Sequence, residues 1–146
     1  MRQIKFIEYG SSDYEKTLEL RNKIMRIPLG LSIYNEDFSV EKNSIIIGMF
    51  EDNLLLGVGV MSHKNNIYKV EYLCIDSSIQ KSGIGGMLLD KLENIAKNNN
   101  AIKIFMDARV SAKQFYLKHG YQPVADLFHC VFLKEIHHNQ ISLRIR

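Results

Sequence analysis

The sequence predicts an α/β fold of the α+β kind, folded as a single domain over residues 1–146. Three observations carry that expectation. The run from Val70 to Leu89 passes from strand to turn to glycine loop to helix without a break. Two turn signals, Asp52-Asn53 and Lys64-Asn65-Asn66, separate apolar, strand-like runs as hairpin connections would. A chain of 146 residues with 46% hydrophobic content can bury one substantial core, with no room for a second domain of ordinary size.

The elements follow in order. Met1 to Tyr9 alternates apolar residues with charges, which reads as a strand over 3–9 rather than as a signal-peptide core. Leu18, Leu20, Ile24 and Met25 mark a helix over 13–26, which Pro28 and Gly30 stop. Residues 31–42 read as short helical or irregular chain, and strands are expected over 44–50, 54–63 and 67–76. Asp76-Ser77-Ser78 supplies a turn. Gly83, Gly85 and Gly86 then open an amphipathic helix over 83–98, in which Met87, Leu88, Leu92, Ile95 and Ala96 recur at helical spacing. Asn98-Asn99-Asn100 ends it. A strand over 102–107 leads to a short helix with Ala112, Phe115 and Tyr116 on one side. Gly120 suits a left-handed cap there, and strands are expected over 121–125, 128–134 and 140–145.

Composition excludes several function classes. The formal charge of +3 is spread over Lys and Arg interleaved with acids, not gathered into the basic block that nucleic acid would select. No apolar run approaches membrane-spanning length. Cys74 and Cys130 form no Cys-x-x-Cys pair, which suits a reducing cytoplasm. His63, His119, His129, His137 and His138 show no metal-ligand spacing, and the adjacent pair would point to opposite faces of an extended chain, so no metal is expected. Ser82 and Ser111 lack the His and Asp partners of a serine nucleophile.

The glycine loop points to a phosphate-bearing ligand, because glycines at a helix N-terminus admit close approach and the free N–H groups attract phosphate oxygens. A Walker A loop needs Lys and Ser/Thr after its last glycine, and here Gly86 is followed by Met87 and Leu88. A dinucleotide fingerprint would need a small residue at Leu88, although Asp107 imitates its ribose-binding acid. The pattern Gln80-x-x-Gly83-x-Gly85 instead resembles the acyl-CoA diphosphate loop of the GNAT N-acetyltransferase superfamily. Ala108 to Tyr121, with Phe115-Tyr116-Leu117-Lys118-His119-Gly120-Tyr121, is similar to that family's later motif in order and spacing. The resemblance covers residues 44–125 and extends more weakly over the N-terminal third.

The resemblance implies a mixed, largely antiparallel sheet flanked by helices, and acetyl transfer from acetyl-CoA as co-substrate to a small-molecule primary amine. It is compatible with a homodimer. By motif position, the backbone of Leu73, Cys74 and Ile75 would hold the pantetheine arm. Lys81, Ser82, Gly83, Ile84, Gly85 and Gly86 would receive the diphosphate, with Gln80 shaping the loop. Tyr116 takes the general-acid position facing the departing thiolate, and Glu71, two residues before the pantetheine segment, is the candidate base. A solvated or ion-paired strand carboxylate and a core tyrosine would give the same two residues. Arg109 stands where many members have a cofactor-contacting Asn, and is read as a cofactor or acceptor ligand. Arg21 and Arg26 resemble acceptor-side arginines and would grip a carboxylate or phosphate. Two alternatives stay open: a catalytically silent acyl-CoA-binding module, which would not need Tyr116, and a protein or peptide amine as acceptor.

Overall fold

The computed structural model describes residues 1–80, 82–108, 110–126 and 130–136. The expected strand over 140–145 and His129, His137 and His138 lie outside them. The chain forms two compact units, Met1–Ser62 with Glu71–Leu92, and His63–Val70 with the described residues from Glu93 onward.

In the first unit β1 (Arg2–Phe6) pairs antiparallel with β2 (Ile45–Glu51), from Arg2 opposite Glu51 to Phe6 opposite Ile47. β2 turns back into β3 (Leu54–Lys64) through Asp52 at φ 57°, in the left-handed conformation that the Asp52-Asn53 signal anticipated. A second left-handed residue, Asn65 at φ 57°, joins β3 to β4 (Ile67–Ile75). The strand order is β1-β2-β3-β4. Between β1 and β2 runs α1 (Ser12–Met25), whose N-cap Ser11 side chain accepts the Tyr14 N–H at 3.1 Å. Pro28 opens a 3-10 turn over Ile27–Leu29, and two more turns, Ile33–Asn35 and Ser39–Asn43, fill the stretch read as irregular.

The core of this unit gathers Ile7, Tyr14, Leu20, Ile46, Phe50, Leu55, Val58, Val60 and Cys74. β3 is buried continuously from Leu55 to Met61, on both faces, as a central strand must be. One face receives α2 (Ile84–Asn98). A Cβ on Gly57 would lie 2.8 Å from Ile75 Cδ1 and 3.1 Å from Leu88 Cδ1, so glycine there lets the start of the helix sit close to the strand. The buried stripe of α2 is Ile84, Leu88, Leu89, Leu92 and Ala96, each fully buried. Met87, expected inside, is 49% exposed; Leu89 takes its place on the flank of the stripe that Ile84, Leu88, Leu92 and Ala96 set at helical spacing.

The second unit orders its strands β4-β5-β7-β6, with β5 Lys103–Ala108, β6 Gln122–Asp126 and β7 Cys130–Glu135. β4 and β5 are parallel, since the chain between them crosses over through a helix; β5 with β7 and β6 with β7 are antiparallel. With β4 common to both orders there are seven strands among the described residues, and the sheet architecture is mixed and largely antiparallel, as the sequence resemblance implied. α3 (Lys113–Lys118) ends at Gly120 with φ 89°, the left-handed cap expected there. Tyr121 is fully buried and its hydroxyl donates to Glu93 Oε2 at 2.7 Å, while Lys134 Nζ donates to Glu93 Oε1 and to the His119 carbonyl, both at 3.0 Å.

Candidate active site

The glycine loop is built at the end of β4. The Asp76 N–H donates to the Leu56 carbonyl at 2.9 Å, and Asp76 Oδ1 accepts the Ser78 N–H and Oγ–H at 3.0 and 2.9 Å. Those two hydrogen bonds favour the ionised form and hold the Asp76 carboxyl below its ordinary range. Gln80 Nε2 donates to the Ile75 carbonyl at 3.3 Å, so Gln80 ties the loop back to the strand that feeds it. Gly83 adopts φ 87°, and a Cβ built on it meets nothing within 4 Å. Its backbone requires glycine while the space beside it is open.

α2 makes its first turn from the Met87 N–H to the Gly83 carbonyl at 3.1 Å. The N–H groups of Ile84, Gly85 and Gly86 precede that bond and have no intrahelical acceptor. Ser82 and Gly83 are exposed, and Gly85 and Gly86 half-buried. Ile84 is fully buried, so its contribution to a ligand is its backbone alone. An anion at this corner would meet several donors and the positive end of a helix dipole. Lys81 and Arg109 lie outside the described residues.

On β4, Leu73 and Ile75 are half-buried and Cys74 is buried. The Cys74 thiol faces the core, 3.9 Å from the Leu20 carbonyl, and burial pushes its pKa up to about 12. A thiol so far from ionisation is packing, not a nucleophile. Glu71 is exposed and its Oε2 accepts the Ser62 hydroxyl at 2.6 Å.

The arginines are engaged within the protein. Arg21 is fully buried, and its Nη1 and Nη2 donate to the two carboxylate oxygens of Glu41 at 3.1 and 2.6 Å. Tyr14 donates its hydroxyl to the same carboxylate at 2.7 Å. The guanidinium carbon lies 4.0 Å from the Tyr72 ring centroid and 4.9 Å from that of Phe38. Burial works against the Arg21 charge, yet the Glu41 carboxylate prevails and keeps it firmly protonated. Arg21 Nε is the single buried side-chain polar atom without a hydrogen-bond partner among the described residues.

Arg26 clasps Glu36 through Nε and Nη2, at 2.6 and 3.1 Å, and donates to the Tyr72 hydroxyl at 3.0 Å. The Glu36 contact raises Arg26 further and lowers Glu36 in return. Arg21 therefore presents no cation to solvent and is held in an internal ion pair. Arg26 borders an open recess of about 680 Å³ with Leu31, Ser32 and Asn35, its charge already matched by Glu36.

A second cavity, about 380 Å³, is lined by Asp37, Phe38, Val40, Glu41, Ser44, Ser62, Glu71 and Tyr72. It brings Glu71 together with residues sequence reasoning did not single out. Tyr72 had a faint signal, as an aromatic beside the pantetheine segment. Glu41 had none, because it lies 20 positions beyond Arg21, past the end of α1 and across a stretch with no continuous helical or strand period.

In the second unit Tyr116 is buried, 7% exposed, with its ring 5.3 Å from Phe132 and 5.8 Å from Tyr121. Burial alone pushes its hydroxyl up to about 12. His63 stacks on Tyr68 at 5.0 Å and His119 packs on Phe115 at 4.6 Å. Among the described residues no group of three His, Cys, Asp or Glu could hold a metal, and no helix is long and apolar enough to cross a membrane.

The profile of the acetyltransferase (GNAT) domain matches residues 31–130. YjcF of Bacillus subtilis (strain 168), an uncharacterized N-acetyltransferase, is 29% identical over 87 residues, which span 60% of this chain and 62% of YjcF. The crystal structure of PaiA N-acetyltransferase from Thermoplasma acidophilum in complex with coenzyme A superposes with a TM-score of 0.78 at 18% identity, over 93% of this chain and 99% of that one. Aminoglycoside 6'-N-acetyltransferase complexed with coenzyme A superposes at 0.77 and 15% identity, over 94% and 98%. These two likenesses are of fold. The profile match extends over more than half of the sequence and contains both motifs from which the resemblance was read: the chain belongs to the GNAT acetyltransferase family.

Proposed function

We propose that this chain transfers an acetyl group from acetyl-CoA to the primary amine of a small molecule by direct attack in a ternary complex. The observation that carries the reading is the loop after β4, where open space beside Gly83 adjoins the N–H groups of Ile84, Gly85 and Gly86, which have no intrahelical acceptor, in a chain of GNAT family membership. Coenzyme A is present in the PaiA and aminoglycoside acetyltransferase structures of the same fold, which supports it as the ligand here. Loop N–H groups over 81–86 receive the diphosphate, and Gln80 holds the loop on Ile75. The backbone of Leu73 to Ile75 holds the pantetheine arm.

The acceptor nitrogen attacks the thioester carbonyl, the new N–C bond forms, the C–S bond breaks, and the nitrogen's proton leaves. Glu71 is the carboxylate assigned to receive it, directly or through water. Tyr116 is assigned to the departing sulfur. A phenol near 12 facing a thiol near 8.5 gives up its proton uphill by roughly 5 kcal/mol, so its contribution is a donated hydrogen bond, not complete transfer. Orientation of the two substrates supplies the remainder of the rate.

The test is thiol release with acetyl-CoA against a panel of diamines, amino acids, amino sugars, aminoglycosides and peptides, beside calorimetry of acetyl-CoA binding. Binding with turnover on a small amine is expected. Failure to bind acetyl-CoA overturns the proposal; binding without turnover on any amine leaves a silent CoA-binding module.

A further inference from the structure

We infer that Arg26 is a positioning residue for the cofactor: with Arg21 behind it, it fixes Tyr72 and thereby holds the stretch of β4 that carries the pantetheine arm. This rests on the acetyl-transfer reading and adds to it a residue that acts through the strand. Alternation along β4 turns Tyr72 and Cys74 to one face, and Leu73 and Ile75 to the other. Ile75 packs toward α2, where its Cδ1 and Leu88 Cδ1 would both meet a Cβ built on Gly57. The opposite face belongs to α1. Arg26, the C-cap of that helix, donates to the Tyr72 hydroxyl at 3.0 Å, and the Cys74 thiol lies 3.9 Å from the Leu20 carbonyl. Just past the strand, Lys23 Nζ stands 3.8 Å from Asp76 Oδ2. The register that ties β4 to β5 covers Ile67, Tyr68 and Lys69, ahead of this stretch.

Tyr72 is the strongest of these anchors because it is held at both ends. The Arg21 guanidinium carbon stands 4.0 Å from its ring centroid, and Phe38 meets the ring edge to face at 6.4 Å. Arg21 is fixed in turn, fully buried with both terminal nitrogens on Glu41. At the far end Arg26 offers Nη2 to the hydroxyl, and Glu36 sets its aim by accepting from Nε at 2.6 Å and from Nη2 at 3.1 Å. Two ion pairs thus bracket one ring. A tyrosine stacked and hydrogen-bonded in this way leaves its own backbone little freedom to turn, and Tyr72 immediately precedes Leu73.

The consequence is affinity. A strand that receives a ligand through its backbone N–H and C=O groups binds best when those groups are already in place, since ordering them on binding subtracts from the free energy of the complex. Loosening Tyr72 therefore weakens the hold on the pantetheine arm without removing any group that touches it.

The experiment takes Tyr72→Phe, which keeps the ring on Arg21 and removes the hydroxyl, together with Arg26→Gln and the double variant. Acetyl-CoA binding is measured by calorimetry, and amide hydrogen exchange is measured on the same proteins without ligand. Each single variant should bind acetyl-CoA about three- to thirtyfold more weakly, and the double variant should match the weaker single within about twofold, because both changes remove one shared contact. Amides of Leu73 to Ile75 should exchange faster in every variant while those of β2 keep the parent's protection, a local change that a general loss of stability does not produce. Variants that bind acetyl-CoA as the parent does, additive losses in the double variant, unchanged exchange over Leu73 to Ile75, or equally faster exchange in β2 each overturn the positioning role and leave acetyl transfer in place. Absent acetyl-CoA binding by the parent overturns acetyl transfer itself, and this assignment with it.

Discussion

Replacing Gly83 with alanine separates what the loop does for folding from what it does for a ligand. Gly83 sits at φ 87°, where an L side chain costs about 1–2 kcal/mol. Nothing of the protein lies within 4 Å of the added Cβ, so no steric term joins that strain. At roughly 2–4 °C per kcal/mol for a chain near this size, Tm should fall by about 2–8 °C, well inside the margin of a folded domain. On the proposed function, the same open volume is where a diphosphate would approach the N–H groups of Ile84 to Gly86. A methyl group there displaces the anion from one or two charge-assisted hydrogen bonds, each worth about 1.5–3 kcal/mol. Acetyl-CoA affinity should therefore drop at least tenfold, and further for Gly83→Val. Thermal melting gives the first quantity and calorimetry the second. A folded Gly83→Ala protein that binds acetyl-CoA within twofold of the parent refutes the placement of the diphosphate.

The remaining predictions concern Tyr116, the buried ion pair and alkaline pH. Tyr116→Phe keeps the ring among Phe132 and Tyr121 and removes the hydroxyl; the chemical step in single turnover should slow by roughly ten- to ten-thousandfold with acetyl-CoA binding retained, and an unchanged step refutes the assignment. Glu41→Gln leaves the Arg21 cation buried without its counter-charge and should lower stability by about 3–5 kcal/mol in urea denaturation, while the double variant Arg21→Met, Glu41→Leu recovers most of it; a loss below about 1 kcal/mol in the single variant refutes the role of the pair. Burial raises Tyr14, helped by Glu41, and raises Tyr116 to about 12. An unfolded tyrosine ionises near 10, so the stability linked to both is intact below that pH and is lost as pH rises through 12. Denaturation across this window should show that slope, and it should flatten in the Tyr14→Phe, Tyr116→Phe double variant.

Most of the fold was legible because local chemistry determined it. Asp52 and Asn65 take left-handed conformations that turn signals announce, and Gly120 caps α3 for the reason its position suggested. The β4 loop was legible for the same reason: glycine, turn acid and apolar helix stripe are neighbours in sequence. Helical phase was harder. Met87 and Leu89 are both apolar and two residues apart, and only the packing of Ile84 and Leu88 onto β3 at Gly57 decides which enters the core. The β1 strand stops at Phe6 rather than running to Tyr9, because Gly10 at φ 81° already begins the turn into α1.

The surroundings of Arg21 and Arg26 were not legible in the sequence, for a physical reason. Arg21 and Arg26 were visible as charges, and a charge on an amphipathic helix reads as solvated or ligand-binding until its partner is known. Their partners, Glu41 and Glu36, lie on irregular chain between α1 and β2, where no period links one residue to the next. Arg21 cannot leave Glu41 to meet an anion without stranding a carboxylate that Tyr14 alone would then satisfy, in a site burial has already made hostile to charge. A pair this costly to separate holds its geometry, and its geometry is the wall: Glu41 lines the cavity, and Arg21 stacks behind Phe38 and Tyr72, which line it too. Arg21 thus acts on the cavity at one remove, by fixing the carboxylate and the two rings that line it.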